Sequence, residues 1–263
     1  MISSVSVALC LLSAPLRADV LSAAFASAAS QSRAAIDAAK PARAFRGGVI
    51  KHPEQLPENC ANLPVVSIRN GEISKNGVVI GRNAQSYQAN CDGLVAWKNS
   101  YGELYRGDRR VASNISQYDV AWFGDVIVWR DSSGELSLNG DNLGRVQSYT
   151  FVKYTGDVVW QDGWGELNRN REKFGRAQSY AVAARTGDVA WVNGFGVLHR
   201  NGLELGRAQS WKIADRTGDV GWLTSFRELY KNGVKVASGV DRFEVREDGK
   251  VIWVDSWGNT HYA

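Results

Sequence analysis

Hydrophobic and polar positions recur with a fixed period from residue 63 to the C-terminus. The stretch at 175–191 reads "GRAQSYAVAARTGDVAW" and returns at 206–222 as "GRAQSWKIADRTGDVGW". One tryptophan recurs 31 or 32 residues apart at Trp97, Trp129, Trp160, Trp191, Trp222 and Trp253. A second aromatic series keeps the same period at Tyr87, Tyr118, Tyr149, Tyr180, Trp211 and Phe243. Two independent series with one period indicate tandem repeats of 31 residues.

Each repeat divides into four short predicted strands. In one copy these are "SYAVAA" at 179–184, "VAWVN" at 189–193, "VLHR" at 197–200 and "LELG" at 203–206. Asn201-Gly202 between the last two is a strong hairpin signal, because a type I′ turn needs positive φ at both central residues. The pattern therefore predicts a four-stranded antiparallel meander in every repeat.

A single meander has two apolar faces, so it needs neighbours of its own kind. Stacking the repeats buries those faces, and closing the stack into a ring removes its exposed ends. We therefore predict an all-β fold, a six-bladed β-propeller in which the repeated Trp fills the space between blades. The first repeat begins with "GEISKNGVVIG" at 71–81, which resembles third and fourth strands, and the last repeat stops after its third strand. An N-terminal strand is thus expected to complete the last blade.

Two features keep other arrangements open. The segment "VVSI" at 65–68 resembles a second strand, with Val66 at the Trp position, so a seven-bladed ring or an additional outer strand is an alternative. The period of 31 residues is also shorter than that of familiar propellers, which leaves an open β-solenoid or superhelical array as a second alternative.

The N-terminal region predicts export. Residues 1–18 resemble a signal peptide, with an apolar run from Val5 to Ala14 and a cleavage point after Ala18, although no basic residue precedes Arg17. A disordered leader or a mis-assigned start codon is the alternative. The run is too short to span a membrane as a helix. Residues 19–62 form an Ala-rich tail and linker, residues 63–263 form the repeat domain, and we expect a secreted or periplasmic protein.

The cysteines fit an oxidising compartment. Cys10 lies inside the predicted signal peptide, which leaves Cys60 and Cys91 as an even pair. We predict a disulfide between them that pins the N-terminal piece to the first full repeat. Two unpaired buried thiols are the alternative.

Composition and charge narrow the function classes. The net charge of +4 is mildly basic, and no block of Lys or Arg occurs, so we expect no nucleic-acid partner. Catalytic signatures are absent from the sequence, and the three histidines are His52, His199 and His261. His199 and His261 share a repeat position with Tyr, Ser and Asn, which predicts an exposed strand position. We expect a non-catalytic monomer without cofactor or metal.

Two repeated turns have a structural interpretation. Asp157, Asp188 and Asp219 end the recurrent "TGD" turn, where Asp commonly caps the backbone through its side chain. The Asn-Gly pairs are hairpin turns. We predict that both kinds of turn lie on one side of the sheets.

The other side carries the candidate binding residues. An aromatic residue precedes most third strands, with Ser133 as the exception, at Tyr101, Trp164, Phe195, Phe226 and Trp257. The "GRxQS" segment between successive repeats supplies a second set, Arg145, Arg176, Arg207, Gln147, Gln178 and Gln209. Alternate loops of a meander share a side, so both sets are expected on one rim. Packing of the aromatics on their hairpins, with Arg and Gln satisfying backbone groups, is the structural alternative.

These residues favour multivalent binding of carbohydrate or of a cell-envelope glycan. Aromatic rings stack on sugar faces, and Arg and Gln bind hydroxyl groups. The general plan is shared by secreted propeller lectins, but none of their diagnostic motifs occurs here. A protein-interaction scaffold in an envelope complex is the first alternative, because aromatics and Arg also concentrate at protein interfaces. An enzyme with a site in a central channel is the second.

Overall fold

The structure is a computed structural model that describes residues 57–58, 60 and 62–263. The predicted signal peptide and most of the tail and linker, including His52, lie outside these residues. Within the described part the regular elements are 26 β-strands arranged in seven antiparallel sheets. None of its elements is a helix that could cross a membrane.

The first sheets follow one another along the chain. Sheet 1 has three strands, namely β1 (Val66–Arg69), β2 (Glu72–Lys75) and β3 (Val78–Gly81). Sheet 2 has four, namely β4 (Ala84–Ala89), β5 (Val95–Asn99), β6 (Leu104–Arg106) and β7 (Arg109–Ala112). Sheet 3 has β8 (Ile115–Val120), β9 (Ile127–Asp131), β10 (Glu135–Leu138) and β11 (Asp141–Arg145). Each strand pairs with its neighbour in sequence, as the predicted meander requires.

The remaining sheets repeat the plan. Sheet 4 has β12 (Ser148–Val152), β13 (Asp157–Gln161), β14 (Glu166–Arg169) and β15 (Glu172–Arg176). Sheet 5 has β16 (Ser179–Val182), β17 (Val189–Val192), β18 (Val197–Arg200) and β19 (Leu203–Arg207). Sheet 6 has β20 (Ser210–Ile213), β21 (Val220–Leu223), β22 (Leu229–Lys231) and β23 (Val234–Ala237). Sheet 7 has three strands, β24 (Val240–Val245), β25 (Val251–Asp255) and β26 (Thr260–Tyr262). The predicted all-β, propeller-like class of repeated four-stranded sheets is confirmed.

The chain ends differ from the predicted ring closure. The N-terminal piece forms sheet 1 by itself, and among the described residues β26 pairs with β25 alone. The half-repeat at 65–68 therefore belongs to a partial seventh sheet. Val66 does not occupy the Trp position, because Ser67 pairs with Ser74 as Trp97 pairs with Tyr105. Their hydroxyl oxygens lie 2.9 Å apart where the next sheet stacks two aromatic rings. The sequence spacing misplaced this position by one residue, since the step from Ser67 to Trp97 is 30 residues.

The core lies between successive sheets. Six clusters of buried side chains are found in the described chain, and each joins one sheet to the next. Every repeated Trp packs on the preceding sheet; for example, Trp222 lies with Ala190 and Leu198. The close approach of sheets 1 and 2 requires glycine at position 81, because a Cβ at Gly81 would overlap the ring of Trp97. The predicted role of the Trp series, filling the space between neighbouring sheets, is thereby confirmed.

One leucine per interior sheet anchors each interface. The side chains with no exposed surface include Leu104, Leu136, Leu167, Leu198 and Leu229, one on the third strand of each four-stranded sheet. Ile73 takes this place in sheet 1 and is also fully buried. In sheet 7 the paired position is Thr260, which is exposed. The apolar pattern thus changes to a polar residue in the last sheet, and no buried cluster of the described residues joins the far face of that sheet to another one.

The "TGD" and Asn-Gly turns share one side of the sheets, which we call the turn rim. The Asp157 carboxylate accepts hydrogen bonds from Asn170 at 2.7 Å and from Arg169 at 2.7 Å. Asn201 and Gly202 have φ of 48° and 84°, as a type I′ turn requires. Burial raises the pKa of the Asp157 carboxyl, but these hydrogen bonds outweigh it and hold that pKa below its ordinary value. Both turns therefore have structural contacts, but the Asp157 carboxylate binds side chains rather than capping the backbone as predicted. The Thr155 hydroxyl binds the Asp157 amide instead.

The repeated glycine of "TGD" follows from the stacking of these turns. Gly218 has φ of +72°, and a Cβ there would overlap the carboxylate of Asp188 in the preceding sheet. Gly249 stands in the same relation to Asp219. Each acidic side chain therefore lies against the next turn, and only glycine leaves the space for it.

A disulfide ties the N-terminal segment to the stack. Cys60 and Cys91 are bonded, and they are 31 residues apart in sequence. The loop that they close contains all of sheet 1, from β1 to β3. The bond therefore ties sheet 1 to sheet 2. Sheet 1 is the sheet that has Ser67 in place of the repeated Trp.

Candidate functional site

The aromatic residues are presented by a turn that is built alike in each sheet. At the end of the second strand, one side-chain oxygen accepts two backbone hydrogen bonds, from the residues two and four positions later. Asp162 binds the amides of Trp164 and Glu166 at 2.8 and 2.9 Å. The same geometry is formed by Asn99, Asp131, Asn193, Thr224 and Asp255. Because the turn satisfies its own amides, the intervening side chain is left pointing away from the sheet.

The five aromatics at these hairpin tips are exposed to solvent. Their exposed fractions run from 74% to 85%, for Tyr101, Trp164, Phe195, Phe226 and Trp257. The structural alternative, in which these rings pack on their own hairpins, is therefore wrong for all five. They form a row with one ring for each of sheets 2, 4, 5, 6 and 7, and Ser133 takes the place in sheet 3.

The crossovers between sheets lie on the same rim as the tips. The amide of Ala177 donates to the carbonyl of the tip residue Gly165 at 3.0 Å, and Ala208 donates to Gly196 at 3.0 Å. Equivalent bonds join Val146 to Gly134, Ile115 to Gly102 and Val240 to Arg227. We call this side, with its tips and crossovers, the aromatic rim. The structure thus brings the two predicted sets of residues together.

The Arg and Gln side chains of the crossovers point to solvent. Arg145, Arg176 and Arg207, like Gln147, Gln178 and Gln209, are all exposed. Backbone carbonyls at the crossovers are bound instead by residues that follow the repeated Trp, since Arg130 donates to Val146 and Gln161 to Ala177. Lys98 does the same for Ile115. Sequence reasoning missed these three partners, although their common position after Trp97, Trp129 and Trp160 was a readable signal.

A cleft of about 450 Å³ opens on this rim between sheets 4 and 5. Arg176 and the tip residues Gly194 and Phe195 line it, and Trp191 and His199 form its deeper part. The Trp191 and His199 rings are stacked, with centroids 4.1 Å apart. The cleft therefore combines a guanidinium, an exposed ring and a stacked aromatic surface.

The histidines occupy stacking positions, which corrects the prediction that they are exposed. His199 and His261 are half-buried against Trp191 and Trp253, as Tyr105 is against Trp97. The directly opposed cross-strand position favours a flat partner for each Trp ring. His261 also lies 2.9 Å from Asp255 and, together with Asn259, lowers the pKa of that carboxyl to about 2. The histidines thus belong to the repeat framework.

One tip stores backbone strain. Arg227 has φ of 57°, whereas the six other sheets have glycine at the equivalent place, including Gly71 in sheet 1. A side chain in this region costs roughly 1 kcal/mol or more. We expect Arg227→Gly to raise the free energy of unfolding by about 1 kcal/mol, as measured by urea denaturation. The reverse exchange Gly196→Arg, at φ of +75° with open space around the Cβ, should lower it by a similar amount. Equal stability of all three proteins would contradict the account of this turn.

Metal ligands do not converge anywhere in residues 57–58, 60 and 62–263: no group of three or more His, Cys, Asp or Glu could hold an ion there. The charged groups of the aromatic rim are spread over successive sheets. What this rim offers is a series of exposed rings with guanidinium and amide groups beside them.

Comparisons with known proteins place the chain in no family. No protein-family model matches it, and no curated protein does. Among solved structures, the WD40 β-propeller domain of Doa1 is 12% identical, with a TM-score of 0.27, over 77% of this chain and 89% of that one. Kluyveromyces lactis Hsv2 is 9% identical, with a TM-score of 0.33, over 74% and 87%. The computationally designed Ika8 protein is 13% identical, with a TM-score of 0.30, over 75% and 83%. These matches carry no argument about function.

Proposed function

We propose that this protein binds a polymeric glycan along its aromatic rim. The observation that carries the proposal is the row of five exposed aromatic side chains on similar hairpin tips. An exposed large aromatic on a tight turn contributes little to folding, so its recurrence in five sheets favours a binding role. Export of the protein to the cell envelope, which the N-terminal sequence predicts, would bring it to such a ligand.

The chemistry of the rim suits sugars. An aromatic face packs on the C–H face of a pyranose, while the exposed guanidinium and amide groups beside it can bind hydroxyl groups. Arg176 and Phe195 line one cleft, which supports the proposal that one ligand contacts both kinds of group. Stacked sheets are about 10 Å apart, so successive tips would contact successive parts of a chain-like ligand.

Repetition supplies the affinity that one exposed ring lacks. A single tip buries little area, but linked equivalent sites gain avidity through effective concentration. A long glycan with a repeating unit can engage several tips at once, whereas a short fragment cannot. The proposal therefore requires tighter binding of polymers than of their monosaccharides.

Replacing Trp164 and Trp257 together with alanine should weaken glycan binding. Loss of one anchoring aromatic costs about 2 kcal/mol, a factor of about 30, so the pair should lose at least that factor. The measurement is a glycan array, followed by a pull-down with purified peptidoglycan, using both proteins. Thermal stability should hardly change, because both side chains are almost fully exposed.

A matched control removes two exposed apolar side chains from the turn rim. Leu203→Ala with Val234→Ala deletes residues that are 73% and 69% exposed, and it should leave glycan binding intact. Equal retention of the wild type and the Trp164→Ala, Trp257→Ala variant would remove the proposal. So would an equal loss in the control variant.

A protein-interaction scaffold is the second candidate. It is favoured by the unlike tips, since Ser133 interrupts the row and two tips carry Phe, which has no polar group. Divergent tips suit one large asymmetric partner rather than many copies of a small ligand. This candidate predicts that the Trp164→Ala, Trp257→Ala variant loses a co-purifying protein while the wild type binds no glycan.

A further inference from the structure

A second set of equivalent residues converges on the turn rim. The turn between the first and second strands carries Phe123 in sheet 3, Tyr154 in sheet 4, Arg185 in sheet 5 and Arg216 in sheet 6, each 31 residues after the last. These four side chains line a single cleft of about 460 Å³, together with Thr186 and Glu58. We call it the arginine cleft.

Backbone hydrogen bonds hold these turns against one another. The amide of Arg185 donates to the carbonyl of Asp215 at 2.9 Å, and that of Arg216 donates to Glu247 at 3.2 Å. In the earlier sheets Trp122 donates to Lys153 at 2.7 Å. Successive sheets therefore approach closely at this corner, and their turn side chains are brought to one place. The arginine cleft is a product of the stacking and has a framework of hydrogen-bonded backbone.

The arginine cleft is cationic with an aromatic wall. The Arg185 guanidinium lies 5.2 Å from the centre of the Tyr154 ring. Arg216 is exposed, and Phe123 supplies a second ring. The two neighbouring acids, Asp215 and Glu247, belong to the turns of sheets 6 and 7, and burial together with Glu247 raises the pKa of the Asp215 carboxyl. A guanidinium that is fixed beside a ring is pre-organised for a carboxylate or a phosphate group.

One carboxylate of the chain already lies at this cleft. Glu58 is carried by the segment that the Cys60–Cys91 disulfide fixes to sheet 2, two residues from the bond. The Tyr154 hydroxyl and, more weakly, Glu58 raise the pKa of Arg185. The Glu58 carboxylate therefore lies at the wall of the arginine cleft, and its charge would oppose a ligand of the same sign.

We propose that the arginine cleft is an anion-binding site, separate from the aromatic rim, and that Glu58 at its wall weakens the binding of the anion. The ligand group is a carboxylate or a phosphate held by Arg185 and Arg216, with the attached carbon skeleton against Tyr154 and Phe123. Glu58 lowers the affinity by adding like charge next to the ligand. The site does not depend on glycan binding at the opposite rim.

Titration calorimetry with two probes, glucuronate and inorganic phosphate, tests the proposal. The Glu58→Gln variant should bind at least one probe about fivefold more tightly than the wild type, the factor expected for removing one negative charge a few ångströms away in water. Adding Arg185→Gln and Arg216→Gln to the Glu58→Gln variant should abolish binding of the probe. Arg109→Gln with Arg242→Gln removes the same charge at two exposed arginines that belong to neither site, and it should leave binding of the probes unchanged. The probe that binds distinguishes a carboxylate ligand from a phosphate.

Two results of the calorimetry would overturn the anion-binding site, and one would support it. No binding of either probe to Glu58→Gln at millimolar concentration overturns the site, and so does binding that survives the loss of Arg185 and Arg216. A gain in affinity limited to Glu58→Gln and lost with the two arginines supports it. If the double arginine variant does not fold, Arg216→Gln alone serves, because that side chain is exposed and should weaken binding without altering the melting temperature.

Discussion

Replacing Leu198 with alanine lowers the free energy of unfolding by about 3 kcal/mol, the typical cost of truncating a buried leucine. Leu198 has no exposed surface and packs in the cluster that joins sheets 5 and 6. Trp222 and Val220 lie on the other side of that interface. Truncation leaves a cavity between two sheets whose backbones are held by their own hydrogen bonds, so the space cannot readily collapse. Urea denaturation followed by tryptophan fluorescence measures the loss.

Thr260 provides the control for this prediction. It pairs with Val254 as Leu198 pairs with Val192, but it is exposed on sheet 7. Thr260→Ala should change the free energy of unfolding by less than about 0.5 kcal/mol. A small effect at Leu198, or a large one at Thr260, would contradict the assignment of the core to the spaces between successive sheets.

Removing the disulfide is the second large effect. We expect Cys60→Ser with Cys91→Ser to lower the free energy of unfolding by about 3–4 kcal/mol, because the bond closes a loop of 31 residues in the unfolded chain. The effect should be greatest in sheet 1, whose Ser67 and Ser74 lack the stacked rings of the next sheet. Amide hydrogen exchange of β1 to β3 should therefore accelerate more than that of sheets 4 to 6.

The reduced wild-type protein is the matched comparison for the serine variant. Both should unfold at the same urea concentration, below that of the oxidised protein. Exchange that rises equally in all seven sheets would contradict a local role for the bond. Equal stability of the oxidised and reduced proteins would contradict the bond itself.

The repeat architecture could be predicted because each repeat contains residues that mark where its strands begin and end. The Asn-Gly turns require left-handed backbone, and the Trp series marks the second strand, so the strands of Leu198 and Trp191 were placed correctly from spacing alone. The shared rim followed from meander topology without coordinates. The exposure of Trp164 and Trp257 did not follow from the sequence, which left packing of these rings on their own hairpins open.

Other features needed three-dimensional information. The register of sheet 1 depends on which residue pairs with Ser74, and spacing misassigned it to Val66. The stacking of His199 on Trp191 depends on directly opposed positions across two strands, which the variable residue types concealed. The arginine cleft depends on the approach of turns that are 31 residues apart, and no local pattern encodes that distance.

The tryptophan indole signals in an NMR titration test the binding account most directly. The chain has ten Trp residues, of which Trp164 and Trp257 are 79% and 85% exposed on the aromatic rim, while Trp97 and Trp222 are 2% exposed between sheets. Adding soluble peptidoglycan fragments, or the strongest ligand from the glycan array, should shift the indole N–H signals of Trp164 and Trp257 and leave those of Trp97 and Trp222 unchanged. A bound glycan that moves neither Trp164 nor Trp257 would contradict the account.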